Sequence, residues 1–469
     1  MTDVYSGHSQ FILLTDNRRR WFDGRTVFLI TVISLPIIVF CGIYTIILKN
    51  NESLLYPKSY GKVPSLWTNR AKIYTNHPKT YPKNNEIHLF GAKTFNQIDD
   101  FKLVCYYNFP TDDFNTLQPK NIDPFLCTHI NVGFANVYNN TLTLDVSQLE
   151  ILKSVVGLKK INNKLKILIS VGGAGNDTGF AEMVLNHATR KLFIKSVLEH
   201  VKIYDVDGVD LDWEFPNQEP HHDKYQRMHF TQLLEEFRAT INKQTRHKFM
   251  VTIAAAAPPF LVDNCYDVSY INQFVDFISV MSYDYHFYSK ITPFTGLNSP
   301  LFQSSQDKGY FTNLNINYTT HYWILKGMSR DKIIIGLPTY GHTFRLTNNH
   351  NNGLYAPARG YGRLGSDGFV DYTQTCKFLS MNQISPVFDM EARSPYATKA
   401  SEWISFENEQ SLSFKAEYVR DQQLGGAMIY SLNTDDHMGA CKIDPNIHNE
   451  PFPLTKKVRE ILDRNYSLF

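Results

Sequence analysis

This sequence lacks a charge of one sign, internal repeats, low-complexity tracts and metal-ligand spacing among its histidines. Lysine and arginine together number 47 against 45 aspartates and glutamates, so nothing in the charge favours a nucleic-acid partner. The 16 histidines show no ligand pattern, and neither a metal nor an organic cofactor is indicated. Cysteine is scarce, six in 469 residues, and long hydrophobic runs are limited to one. Aromatics, by contrast, are plentiful at 14% of the chain. They suit a large core and equally a groove that stacks rings on sugars, and composition does not separate the two.

The one long apolar run is Thr26–Leu48, 23 residues without a charge. At about 1.5 Å per residue it is long enough to span a hydrocarbon core as a helix. Arg18, Arg19, Arg20 and Arg25 precede it and only Lys49 follows closely. The positive-inside rule then leaves residues 1–25 cytoplasmic and the rest luminal or extracellular, a single-pass type II arrangement. A long cleaved signal sequence is the alternative reading. Residues 49–100, rich in Asn, Lys, Pro and Tyr, have no sustained apolar period and read as a stalk.

From Phe101 to Phe469, short apolar runs alternate with amphipathic stretches, the pattern of repeated β-α units. Eight strands are expected: Lys102–Tyr107, Thr128–Val137, Leu165–Val171, Gly208–Trp213, Met250–Ala256, Phe277–Tyr283, Lys332–Tyr340 and Gly426–Leu432. Helical patterns lie between them, such as Phe230–Ile241, whose Leu233, Leu234, Phe237 and Ile241 keep three-to-four spacing. The fold class is therefore α/β, a (β/α)8 TIM barrel. The gap from about His342 to Leu424 is too long for a βα loop and predicts a small α+β insertion between the seventh and eighth barrel strands.

The stretch Asp207–Pro216, DGVDLDWEFP, places Asp210, Asp212 and Glu214 at every second position. On a strand all three acids share one face, with Leu211 and Trp213 on the other. Acids held in file set their pKa values against one another, as acid–base work near neutral pH requires. A solvated acidic edge or a divalent-cation site are the plainer readings. The predicted barrel puts Glu214 at the C-terminal end of the fourth strand, where such barrels do their chemistry.

Of the cysteines, Cys41 lies in the apolar run and Cys265 is left single. Cys105 and Cys127 come close if neighbouring strands pair, and Cys376 and Cys441 can also meet, though spacing does not decide connectivity. Two disulfides suit an oxidising lumen. Asn51, Asn139, Asn176, Asn317 and Asn465 open Asn-x-Ser/Thr sequons, all on the expected luminal side.

DGVDLDWEFP resembles the Asp-x-x-Asp-x-Asp-x-Glu signature of glycoside hydrolase family 18, the chitinases and chitinase-like proteins. SVGG at Ser170–Gly173, MSYD at Met281–Asp284, LPTYG at Leu337–Gly341, TGLNSPL at Thr295–Leu301 and GGAMIYSLNTDD at Gly425–Asp436 match that family in kind and order. The likeness covers about Phe101 to Cys441. With its single anchor, the chain looks like a subset of nematode chitinase-like proteins. The resemblance implies the pairs Cys105–Cys127 and Cys376–Cys441. It also implies substrate-assisted retaining hydrolysis of β-1,4-linked N-acetylglucosamine, in which the substrate's own acetamido oxygen is the nucleophile.

In that scheme Glu214 is the general acid and then the base. Asp212 orients the acetamido group, Asp210 shares a proton with Asp212, and Tyr283 donates to the acetamido carbonyl. Substrate contacts fall to Gly172, Gly173, Ala174, Phe215, Met281, Asp284, Tyr340, Tyr430 and Phe134. Gly172 and Gly173 read rather as places where strand and loop approach closely. The chain departs from the family at four positions. Ala174 replaces a Trp, Phe215 a Tyr, His342 an Arg, and Tyr430 the Trp that floors the −1 subsite. The proton-transfer set is intact and the substrate-holding set is thinned. A binding protein with little or no catalysis is therefore the second reading.

Overall fold

The computed structural model describes residues 101–110, 116–218, 225–441 and 450–464. The expected tail, span and stalk lie outside the described residues, as do Cys41, Asn51 and Asn465. Among the described residues no helix is long and apolar enough to cross a membrane.

Fourteen strands are formed by the described residues. They are β1 (Lys102–Asn108), β2 (His129–Tyr138), β3 (Thr141–Thr143), β4 (Lys166–Gly172), β5 (Gly208–Asp212), β6 (Met250–Ala256), β7 (Phe277–Met281), β8 (Ile333–Pro338), β9 (Tyr340–Arg345), β10 (Phe369–Asp371), β11 (Val387–Asp389), β12 (Ser394–Lys399), β13 (Glu402–Ser405) and β14 (Gly426–Tyr430). Eight of them close a parallel ring in the order β1-β2-β4-β5-β6-β7-β8-β14, with β14 pairing back to β1. β3 is a short antiparallel flap on β2, joined through Asn139 and Asn140, both in the left-handed region that a tight hairpin turn requires.

Strand period two divides the core. Outward residues such as Leu103, Cys105, Val209, Leu211 and Trp213 join the large cluster between barrel and helices. Inward residues Val104, Tyr106, Phe277, Ile334 and Met428 form the lumen cluster, with Tyr283 and Tyr340. Trp213 lies 5.3 Å from Phe180 in a stacked arrangement and 5.7 Å from Phe230 edge-on, so the outward half of the acid ladder is bolted into the helical layer. Asp207 anchors the foot of β5: its carboxylate accepts from the Ile167 amide at 2.9 Å and faces Lys159 and Lys166 at 3.1 and 3.2 Å.

The helical layer is built from α1 (Val146–Val156), α2 (His187–Tyr204), α3 (Gln226–Lys243), α4 (Glu409–Asp421) and α5 (Pro453–Leu462), among others. Capping boxes at Asp145/Gln148, Asn186/Thr189 and Asn408/Ser411 start α1, α2 and α4, each contributing about 1 kcal/mol. Leu233, Leu234, Phe237 and Ile241 of α3 are all buried, as their spacing requires.

Most barrel strands end within one residue of the sequence expectation, and three, β7, β8 and β14, end two residues early. β7 stops at Met281 because the Ser282 amide and hydroxyl both turn back to the Val280 carbonyl, at 2.8 and 3.0 Å. β8 stops at Pro338, and the chain enters a second sheet at Tyr340, in the order β10-β9-β13-β12-β11. That antiparallel sheet and the helix Tyr372–Met381 occupy the long gap, while α4, at the gap's far end, belongs to the helical layer and packs on α5. Among the described residues Cys105 is bonded to Cys127 and Cys376 to Cys441, leaving Cys265 as a buried free thiol.

Candidate active site

Asp210, fully buried in the lumen, accepts three hydroxyls. Tyr106 and Ser170 donate to Oδ2 at 2.6 and 2.8 Å, and Thr252 donates to Oδ1 at 2.6 Å. Burial pushes its pKa up while those hydroxyls pull it down. Its hydroxyl donors thus come from neighbouring strands, Tyr106 of β1, Ser170 of β4 and Thr252 of β6.

Asp212 lies one step further along β5. Burial raises its pKa well above the usual carboxylate range, and the charges of Glu214 and Asp210 add to this. Its Oδ1 is buried without a hydrogen-bond partner. A buried polar oxygen without a partner is uncommon in a folded protein, and this one belongs to the acid ladder. Glu214 ends the ladder, its pKa raised to about 8 by burial first and then by the charges of Asp284 and Asp177. The acid nearest the strand end therefore holds its proton at neutral pH, as a general acid must.

Tyr283 is buried, stacked at 5.7 Å on Tyr430 and edge-on to Tyr340 at 5.9 Å. Burial raises its phenol pKa far upward, followed by the influence of Tyr430 and Asp212, so the hydroxyl remains a donor. Asp284 sits in the left-handed region at φ 56°, a conformation Asp tolerates, and its amide donates to Asn298 Oδ1 at 2.8 Å. Its Oδ1 accepts from the Tyr340 hydroxyl at 2.6 Å and lies 2.7 Å from His342 Nε2.

The glycines at the end of β4 serve close packing. A Cβ on Gly172, at φ +102°, would lie 2.3 Å from the Asp212 carbonyl. One on Gly173 would lie 2.9 Å from the Phe134 ring, and the Gly173 amide donates to the Asp212 carbonyl at 2.8 Å. Phe134, Met281, Tyr340 and Tyr430 all adjoin the lumen cluster. Phe215 does not: it packs on the outer core, so it is set apart from the other expected contacts. Ala174 is half-buried beside this loop, and Asn176 Nδ2 donates to the Gly172 carbonyl at 2.9 Å. Asn139 is exposed in its turn, and Asn317 Oδ1 accepts from Tyr418 at 3.1 Å.

Tyr106, Thr252, Asp177 and Asn298 were not singled out from sequence. Thr252 carried a usable signal, a lone inward polar residue in the apolar run MVTIAAA. Among the described residues no three His, Cys, Asp or Glu side chains are grouped to hold a metal ion.

The model of glycosyl hydrolases family 18 matches residues 102–435. The chain belongs to that family. This family 18 chain is 35% identical over 375 residues to human chitinase-3-like protein 2, covering 77% of the chain and 93% of that protein. It is 34% identical over 378 residues to mouse chitotriosidase-1, covering 77% and 78% respectively. Its fold superposes on a crystal structure of human YKL-39 at a TM-score of 0.72 and 34% identity, covering 78% of this chain and all of that one. YKL-39 is described there as a pseudo-chitinase with retained chitooligosaccharide binding. The chain thus has a chitinase-like fold and stands among relatives both with and without chitinase activity.

Proposed function

We propose that this protein hydrolyses β-1,4-linked N-acetylglucosamine oligomers or polymers with retention of configuration, using the substrate's acetamido group as nucleophile. The observation that carries the reading is the pairing of a Glu214 carboxyl that is still protonated at neutral pH with the buried, unpartnered Asp212 Oδ1 beside it. Glu214 gives its proton to the glycosidic oxygen as the acetamido carbonyl oxygen bonds to C1 and the C1–O bond breaks. Asp212 accepts the acetamido N–H and offsets the positive charge of the cyclic intermediate. Tyr283 donates to the acetamido oxygen and orients it. Glu214, now a carboxylate, removes a proton from water as that water bonds to C1 and the bond from C1 to the acetamido oxygen breaks, which frees the acetamido group and restores the acid.

A second reading, oligosaccharide binding with little catalysis, is favoured by Ala174 and Tyr430 where the family has indoles, and by the YKL-39 likeness. The same proposal holds the barrel outside the cell or in the lumen on a type II anchor at 26–48, in the manner of nematode chitinase-like proteins, with sequons available to glycosylation. Full-length protein in detergent micelles, assayed on short N-acetylglucosamine oligomers beside Glu214→Gln, tests the reading. A loss of about 10²-fold or more in the variant is expected. Equal, background turnover by both proteins, with binding seen in calorimetry, would select the second reading.

A further inference from the structure

We propose that a small pocket between the loop after β7 and the insertion binds a primary ammonium group, with His286 and Asp307 as its hydrogen-bond acceptors. The site is separate from the acid ladder and does not depend on hydrolysis.

The pocket is a cavity of about 30 Å³. One water needs about 10–15 Å³ by this measure, so an ammonium head carrying a methyl group fits and a sugar ring does not. His286, Ser304, Asp307 and Phe311 line it from the β7 loop, and Tyr355 and Ala392 from the insertion. None of the lining residues belongs to the lumen cluster.

His286 supplies the first acceptor. Its side chain is 7% exposed. Burial lowers its pKa to about 4, with the bond to the Phe294 carbonyl opposing and His342 adding to the lowering, so the ring is neutral at pH 7. Nε2 lies 2.9 Å from the Phe294 carbonyl, which can only accept, so the single ring hydrogen sits on Nε2. Nδ1 is then a bare lone pair, and among the described residues no hydrogen bond reaches it.

Asp307 supplies the second. Its Oδ1 accepts from the Tyr355 hydroxyl at 2.5 Å and its Oδ2 from the Ser304 amide at 2.9 Å. A carboxylate offers about four lone-pair sites, so capacity remains. Burial pushes its pKa up, those two bonds pull it down, and the charges of Asp389 and Glu391 push it up again. No cation is among these influences, and the pocket carries a negative field. Tyr355 holds φ at 61°, a region bulky side chains rarely adopt, and from there its phenol reaches Asp307.

Aromatic rings complete the enclosure. Phe311 and Tyr355 lie 6.0 Å apart, and 5.8 and 6.3 Å from the His286 ring. The faces of Phe and Tyr attract a cation within about 6 Å of the ring. Two acceptors, negative charge and aromatic walls together call for a cation that donates hydrogen bonds. An alkylammonium has three N–H donors. A quaternary ammonium has none for Nδ1, and hard metal ions take oxygen ligands. Zinc takes three or four protein ligands, and among the described residues no three His, Cys, Asp or Glu side chains are grouped to hold one.

Calorimetric titration of the full-length chain in detergent micelles with methylammonium chloride, at constant ionic strength, tests the site. Saturable binding is expected, with potassium and tetramethylammonium failing to compete. Asp307→Asn and His286→Gln should each weaken it by about tenfold or more. Glu214→Gln should bind as wild type does, which separates this pocket from the acids of the cleft. Absence of saturable binding in the wild type would overturn the proposal, a result that needs no variant to fold. Equal competition by potassium, unchanged affinity in Asp307→Asn, or a loss in Glu214→Gln matching that in Asp307→Asn would overturn it too.

Discussion

Glu214 owes its proton to where it sits, and that has a consequence for stability as well as for chemistry. Its folded-state pKa, about 8, lies above the usual carboxyl value of about 4.3, so the native state binds a proton that the unfolded state releases between these limits. Stability from this group is therefore complete below about pH 4 and is lost progressively as pH rises through 8. Glu214→Gln removes the titration. Thermal melts should show the variant more stable than wild type at pH 9 by about a few °C, with the difference shrinking towards pH 5. No pH dependence of that difference would mean that Glu214 is not held protonated. The three hydroxyls on Asp210 have a different part. They tie Asp210 of β5 to β1, β4 and β6 across the lumen.

At the scale of elements, the Cys376–Cys441 disulfide ties the insertion helix Tyr372–Met381 to the segment after β14. Asp436, in that same segment, caps the turn with bonds from the Ala440 and Cys441 amides at 2.9 and 2.6 Å. The bridge closes a separation of 65 residues, for which the chain-entropy estimate is about 4 kcal/mol. Cys376→Ser with Cys441→Ser should lower the free energy of unfolding, read from denaturant titration, by an amount of that order. It should also raise amide exchange first in the helix Tyr372–Met381, leaving β4 to β6 protected. Exchange that rises uniformly around the barrel would show that the bridge does not act locally. The order of the strands was legible at this scale because each barrel strand is an apolar run of five to ten residues bounded by turns. The ends were less so. Thr339 looks like a strand residue, yet its amide donates to the Tyr430 carbonyl and the chain changes sheet there. Only the neighbouring strand determines that exit. Likewise α4 reads as part of the insertion by position in the chain, and its packing on α5 assigns it to the barrel.

At the scale of the whole molecule, the remaining expectation concerns topology. In sealed membrane vesicles from expressing cells, the 101–469 region should resist added protease while the first 25 residues are cut, if the type II arrangement holds. Enzymatic removal of N-glycans should then increase mobility on a gel. Cleavage of the 101–469 region in intact sealed vesicles, with no glycan shift, would overturn the arrangement. What the sequence by itself determined is local and periodic: the acids at every second residue, the alternation of strands and helices, the one long apolar run, and the residues at which the family pattern is broken. What only the tertiary structure decided is which distant side chains meet. Tyr106, Ser170 and Thr252 converge on Asp210 because closing the ring brings β1, β4 and β6 around β5. His342 faces Asp284 because the second sheet starts at the rim of the barrel. Period and composition act along the chain, whereas these contacts depend on barrel closure, which no local stretch encodes alone.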